Sequence, residues 1–459
     1  MIRSKQSLLV FATLLAVPLS TASADSSNPY ERNPAEKSSP QRDARGWEQK
    51  PKNPSVPVLG PIGAALKTTG RFLVDVAVAP IRGLVLLEDR HQVYSHVQEI
   101  LYNEDLTGGV LPAASYASGL GISGGANIFY KDLFGNNELV RLNGLYGGDD
   151  FYSVDFKFEF PELFNKRGYL TGRGRFESDP KRDFSGIGNS GGGPFEPQGL
   201  TRFKERRFLL LGQGGLLFGS RQQLKTGVSL IYNNRKFDED DAVGADPIGT
   251  VYDADRLLGF RSGVEIFEAT FDIALDLRDF AGTTSKGALL SGFGGGALVG
   301  DADFVHYGAE ASYYWTPCRE RRVFIFRVAH EGVHGDEIPF TELPRLGGAG
   351  TLRGHRRDTY RDELSLIGTL EYRYPIHHFV SGTLFAETGK VAGTYDELIV
   401  GGYRDNFRLG YGGGLTIHTR ENLVVNLQMA YGHGERGAGF EFYFATDVLQ
   451  AFRSRGRAL

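Results

Sequence analysis

Arg353, Glu371 and Glu387 are the residues of this chain whose types and spacing could form a buried electrostatic pin. Arg353 lies near the tip of Pro344-Arg345-Leu346-Gly347-Gly348-Ala349-Gly350-Thr351-Leu352-Arg353-Gly354-His355. Gly347, Gly348, Gly350 and Gly354 permit tight reversals and close approach there. The connection from Gly335 to Glu363 far exceeds the roughly 4 to 6 residues usual between elements, and such loops are commonly functional. The run after it, Leu364 to Ile376, alternates: Leu364, Leu366, Leu370, Tyr372 and Tyr374 share one face, Ser365, Thr369, Glu371 and Arg373 the other. Glu387 falls in the next run, Thr383 to Gly389. A guanidinium between two carboxylates makes charge-assisted, bidentate bonds. Truncating one partner of such a pair costs about 3 to 5 kcal/mol when buried, while an exposed pair is worth ~0 to 1. Spacing alone leaves two readings open: a loop folded inward with Arg353 pinned to Glu371 and Glu387, or an extracellular arginine in water.

Other motifs match catalytic patterns only in spelling. His330-Glu331-Gly332-Val333-His334 spells the zinc-protease H-E-x-x-H, which works on a helix where positions i and i+4 share a face. Here it continues the alternating run from Arg322 to Ala329. On a strand the two histidines stand ~13 Å apart, too far for one zinc with ligands at about 2 Å. Gly121-Ile122-Ser123-Gly124-Gly125 spells a nucleophile elbow, and Gly119 to Gly124 spells G-x-G-x-x-G. Each of those needs a strand leading into a helix, whereas these glycines sit between two strand-like runs. His377-His378 reads as a solvated turn beside Pro375. The expectation is therefore no active site, no metal and no cofactor.

The elements that must position Arg353 are strands. Tyr152, Val154, Phe156, Phe158 and Phe160 alternate with Ser153, Asp155, Lys157 and Glu159; Phe267, Phe271, Ile273, Leu275 and Leu277 alternate with Glu268, Thr270, Asp272, Asp276 and Arg278. Leu423, Val425, Leu427, Met429 and Tyr431 alternate with Asn422, Asn426 and Gln428. Strands begin near Val110, Ile122, Leu139, Tyr152, Tyr169, Arg202, Leu224, Gly263, Gly287, Phe304, Arg322, Leu364, Gly382, Phe407, Leu423 and Gly439, about sixteen, within the even-numbered range of bacterial barrels. Connections such as Phe218 to Gln222, Thr316 to Arg321 and Thr419 to Glu421 are short. Asp179 to Gly199, Lys236 to Leu258 and Gly335 to Glu363 are long. Short turns on one side and long loops on the other are the periplasmic and extracellular asymmetry of an outer-membrane barrel.

Composition agrees. Gly numbers 62 of 459 residues and aromatics reach 12%, while no segment past the N-terminus offers the ~20 apolar residues of a spanning helix. Arg3 and Lys5, an apolar run from Leu8 to Leu19 and Ala22-Ser23-Ala24 read as a signal peptide over 1–24. Removing it leaves 49 basic against 55 acidic side chains, a net of −6, which argues against a nucleic-acid partner. Cys318, the one cysteine, allows no internal disulfide. Residues 25–60, rich in Pro, Ser, Lys and Glu, read as a disordered periplasmic linker, and 61–105 as amphipathic helices interrupted by Pro80. The fold class expected is all-β: a 16-stranded antiparallel transmembrane β-barrel over 110–448, a short N-terminal helical segment, and a basic tail over 449–459 with Arg453, Arg455 and Arg457. Gly437, Phe440 and Phe442, in Gly437-Ala438-Gly439-Phe440-Glu441-Phe442, resemble the terminal-strand signal that delivers barrels to the barrel-assembly machinery.

Leu346-Gly347-Gly348 with Leu352-Arg353-Gly354-His355, Glu371-Tyr372-Arg373 and Phe385-Ala386-Glu387-Thr388-Gly389 together resemble the surface-antigen barrel of the BamA/TamA outer-membrane assembly superfamily. Lys131 to Gly135, Phe184 to Asn189 and Asp276 to Asp279 fit the same barrel. The resemblance implies sixteen strands, a long loop folded into the lumen with Arg353-Gly354 at its tip, Arg353 bonded to Glu371 and Glu387, and a weak seam between first and last strands. His355 stands where an aromatic is usual, and Glu387 where aspartate is. Residues 25 to 105 show no room or strand pattern for polypeptide-transport-associated repeats.

The function expected is non-enzymatic. The barrel aids insertion, translocation or remodelling of protein or lipid at the outer membrane, among outer-membrane lipid and lipopolysaccharide. The alternative is a passive or gated pore or a structural surface antigen.

Overall fold

The computed structural model describes residues 103–446 apart from 104, 106, 136, 189–194, 280–283, 301, 318–321, 378–379, 400–406, 419–422 and 435–436. The signal peptide, the linker, nearly all of the 61–105 segment, the basic tail, Cys318 and His378 lie outside the described residues.

The alternating runs become strands, the one read to Arg278 ending at Asp276. The first eight strands are β1 (Gly108–Ala117), β2 (Gly121–Lys131), β3 (Leu139–Gly148), β4 (Phe151–Leu163), β5 (Gly168–Phe184), β6 (Thr201–Phe218), β7 (Leu224–Asp238) and β8 (Val264–Asp276). Then come β9 (Gly287–Gly300), β10 (Asp303–Trp315), β11 (Val323–Glu337), and two short pieces, β12 (Arg345–Leu346) and β13 (Tyr360–Arg361). The last five are β14 (Leu364–His377), β15 (Val380–Ala392), β16 (Arg408–His418), β17 (Leu423–His433) and β18 (Phe440–Thr446). All but β12 and β13, which form a separate two-stranded sheet, join one antiparallel sheet in which β1 pairs with β18, closing a sixteen-stranded barrel. Closure leaves no sheet edge among these strands, the condition for strands to cross a bilayer.

The two faces follow the period of two. Phe271 and Ile273 are 53% and 43% exposed on the outer face, whereas Asp272 between them is 0% exposed on the inner one. Val228 and Leu230 likewise face outward beside buried Ser229.

The three long connections are shorter than the sequence suggests, the third because β11 runs to Glu337. β5 and β6 run for 17 and 18 residues, beyond the ~9 to 11 that cross a bilayer, so Asp179–Phe184 is strand rather than loop. Ion pairs hold this extension: Arg202 Nε lies 2.7 Å from Asp183 Oδ1, and Arg182 Nε 2.7 Å from Glu205 Oε2. β7 likewise continues to Asp238, and the loop after it carries two 3-10 turns, Ile248–Thr250 and Ala254–Arg256.

Candidate functional site

The long connection between β11 and β14 folds back on itself through β12 and β13, which pair Arg345 with Arg361 and Leu346 with Tyr360. Leu346, Leu352 and Tyr360 pack with Ile367 of β14 and Val391 of β15 into a small apolar core. Loop and barrel wall thus share one buried surface. Gly348 at φ 88° and Gly354 at φ 85° occupy the left-handed region that a side chain disfavours. Between them the tip turns and presents Arg353.

Arg353 is 5% exposed and meets the wall on three sides. Its Nη2 and Nε lie 2.6 and 2.9 Å from Glu387 Oε1, and its backbone N–H donates to Glu387 Oε2 at 2.7 Å. Glu371 is more distant, at 3.6 Å from Nη2, and also lies 3.5 Å from Arg373. Nη1 donates to Gln428 Oε1 at 3.1 Å, and the guanidinium stacks on Phe385 with its carbon 3.4 Å from the ring centroid. Desolvation of this cation is offset by a buried carboxylate, an amide oxygen and a π-face.

The flanking residues continue the contact toward the last strands. Gly354 N–H donates to Tyr443 Oη of β18 at 3.4 Å, and Gly354 O accepts from Gly439 N–H at 3.1 Å. His355, fully buried, places Nδ1 3.1 Å from Tyr360 Oη and Nε2 3.1 Å from Leu409 O of β16. Arg356 N–H donates to Gly437 O at 2.8 Å. Gly437 lies in the turn before β18 at φ 59°, while Phe440 and Phe442 lie on β18. Phe440 points outward at 65% exposure.

Behind the tip a second charged cluster ties the loop to the barrel rim. Arg345 lies 2.9 Å from Asp358, Arg182 3.7 Å from Asp358, and Arg357 2.6 Å from Asp179. Burial opposes ionisation of Asp358, yet Arg345, Arg357 and Arg182 together hold its carboxyl below the usual range. Arg361 is 2% exposed; it donates to Phe340 O and Asp183 O and lies over Phe184. Burial, then neighbouring Arg345, pushes it down to about 9. Phe340 joins Phe184, Phe203, Tyr252 and Phe260 in an aromatic core that fixes the 239–263 loop to the same rim.

The barrel closes unevenly. β1 meets β18 at Ser115–Ala445, Tyr116–Phe444 and Ala117–Tyr443, whereas it meets β2 all the way from Gly108–Tyr130 to Ala117–Gly121.

The structure therefore brings Arg353, Gly354, Glu371 and Glu387 together. It adds Phe385, Gln428 and Tyr443, which sequence reasoning missed. Gln428 and Phe385 were visible as inward positions of alternating runs, but nothing in the order of residues shows that the tip of a distant loop reaches them. His330 and Glu331 point from opposite faces of β11: His330 bonds Ser365 O and Tyr395 Oη, and Glu331 bonds His306. Gly121 to Gly125 open β2 after a tight turn at Gly119 and Gly121.

A family model described as the Omp85 superfamily domain matches residues 132–420, more than half of the chain. Among solved structures, BamA from Haemophilus ducreyi lacking POTRA domains 1–3 aligns with a TM-score of 0.54 at 18% identity, over 74% of this chain and 70% of that one. CdiB from Acinetobacter baumannii aligns with a TM-score of 0.48 at 13% identity, over 73% of this chain and 58% of that one. CdiB from Escherichia coli aligns with a TM-score of 0.47 at 12% identity, over 73% and 62%. A comparison with curated proteins gives no match. At such identities the likeness is one of fold.

Proposed function

The chain belongs to the Omp85 superfamily, and from that premise we propose that this outer-membrane barrel helps insert, translocate or remodel protein or lipid through the seam between β1 and β18. The observation that carries the reading is the short β1–β18 register beside the docked loop tip. Each backbone hydrogen bond contributes a net ~0.5 to 1.5 kcal/mol, so a ladder this short opens more cheaply than its neighbours. Opening exposes two strand edges, and an exposed edge accepts an added strand. The pinned loop holds β15 to β18 in register from inside, which confines movement to the seam. The proposed role needs no covalent chemistry.

A disulfide across the seam tests this. Ser115→Cys with Ala445→Cys joins positions that face each other in register. Oxidation should reproduce the changes in envelope protein and lipid abundance caused by depletion, and reductant should reverse them. A crosslinked protein that supports the normal envelope overturns the proposal.

A pore is the second reading, favoured by the cavity of about 730 Å³ inside the barrel and the loop that borders it. If the loop plugs a conducting path, Arg353→Ala should raise single-channel conductance sharply.

A further inference from the structure

The inner wall formed by β3 to β7 places like charges directly opposite one another. Arg141 of β3 faces Lys157 of β4, and Lys157 in turn faces Arg173 of β5, so three bases stand abreast. The row meets Leu211 on β6; four residues from it Arg207 of β6 faces Arg235 of β7 on one side and Glu177 of β5 on the other. Like charges in direct cross-strand register destabilise a sheet. All five bases line the lumenal cavity, together with Arg175.

The carboxylates of this wall are committed. Asp155 Oδ2 takes both Arg173, at 2.7 Å, and Arg175, at 2.6 Å. Glu159 lies 2.5 Å from Lys157. Glu177 pairs with Arg182; Glu205 lies 2.7 Å from Arg182 and 3.4 Å from Arg235. Among the described residues Arg207 has no carboxylate within ion-pair distance; its Nε donates to Asn233 Oδ1 at 3.0 Å. A guanidinium presents five donors; Nε of Arg207 is the one bonded to Asn233, and the side chain lines the cavity.

We propose that this wall is a binding site for a ligand carrying two or more phosphate groups. Strands lie about 4.8 Å apart, so Arg141 to Arg173 spans ~10 Å, room for more than one anionic group. A phosphate carries more charge per group than a carboxylate and accepts the guanidinium fork bidentately, which suits three bases abreast. The cavity also reaches Tyr116, Tyr443 and Phe444 at the seam, so the phosphates can belong to a lipid headgroup as well as to a free ion. The site stands on the strand register and is independent of whether the seam opens.

The test uses the full chain in phosphatidylcholine nanodiscs, with tripolyphosphate titrated by calorimetry at two salt concentrations. A second arm adds a bis-phosphorylated glycolipid to the nanodisc and reads the thermal midpoint. Binding that weakens with salt, or a rise in midpoint with the glycolipid, supports the site; the arm that responds identifies the source. Lys157→Gln with Arg207→Gln should lose at least tenfold in affinity while raising the midpoint of the unliganded protein, because the like-charge rows are relieved. Unchanged affinity in that variant, a lowered unliganded midpoint, no response in either arm, or tighter binding of polyglutamate than of phosphate overturns the proposal.

Discussion

Gly410 and Gly432 face each other across β16 and β17, and the loop tip sits against both. A β-carbon at Gly410 would lie 2.0 Å from Arg353 O, and one at Gly432 would lie 2.1 Å from Gly354 O. Two absent side chains make the notch that admits the tip.

Gly432→Ala should therefore lift the tip and destabilise the protein by about 1 to 3 kcal/mol, the usual cost of overpacking. Limited proteolysis should find new cleavage between 338 and 363. Protection equal to that of the unaltered protein would show that the notch does not hold the tip.

Arg353 and Glu387 should be strongly coupled. Each of Arg353→Ala and Glu387→Gln should cost about 3 to 5 kcal/mol by leaving its buried partner unpaired, and the double variant should cost far less than their sum. Arg353→Lys should not rescue, because an ammonium cannot reproduce the fork and the stacking on Phe385. Urea melts of the unaltered protein and these four variants check this, and additive losses would contradict it.

Two loop carboxyls should pull stability in opposite directions with pH. Burial, aided by Glu363 and Glu397, pushes Asp362 up to about 6, against a backbone hydrogen bond from Glu363. Its folded state therefore holds the proton more tightly than the unfolded chain, so its contribution is full below the ordinary carboxyl range and is lost as pH rises through about 6. Asp362→Asn should flatten that decline. Asp358 is held below the usual range, so its contribution is present at neutral pH and lost on acidification. Asp358→Asn should lower the thermal midpoint at pH 7 and by a smaller margin at pH 3, a pH at which the folded carboxyl is still ionised while the unfolded one is largely protonated. Midpoints measured from pH 3 to 8 give both signs.

Phe340→Ala should cost about 3 to 5 kcal/mol, as for other buried aromatics, since its ring packs edge-on to Phe184 and Phe203 and tilted to Phe237 and Phe260. The 239–263 loop should become protease-sensitive while the barrel remains folded in detergent. An unaltered loop would remove the aromatic core as its anchor.

The sequence by itself determined the barrel. Alternation such as that of Phe267 to Leu277 reports which face each side chain takes, because a strand's period is fixed by its backbone, and the division into short and long connections fixed the direction of each strand. What it left open was every contact between residues far apart in the chain. Spacing could nominate Glu371 and Glu387 as partners for Arg353 but not rank them; the fold makes Glu387 the close partner and Glu371 the distant one. Gly410 and Gly432 are ordinary strand glycines until the loop is docked, and Arg207 opposite Arg235 is an ordinary alternation until register sets one against the other. Periodicity is local, whereas register and loop docking are set by closure of the whole sheet.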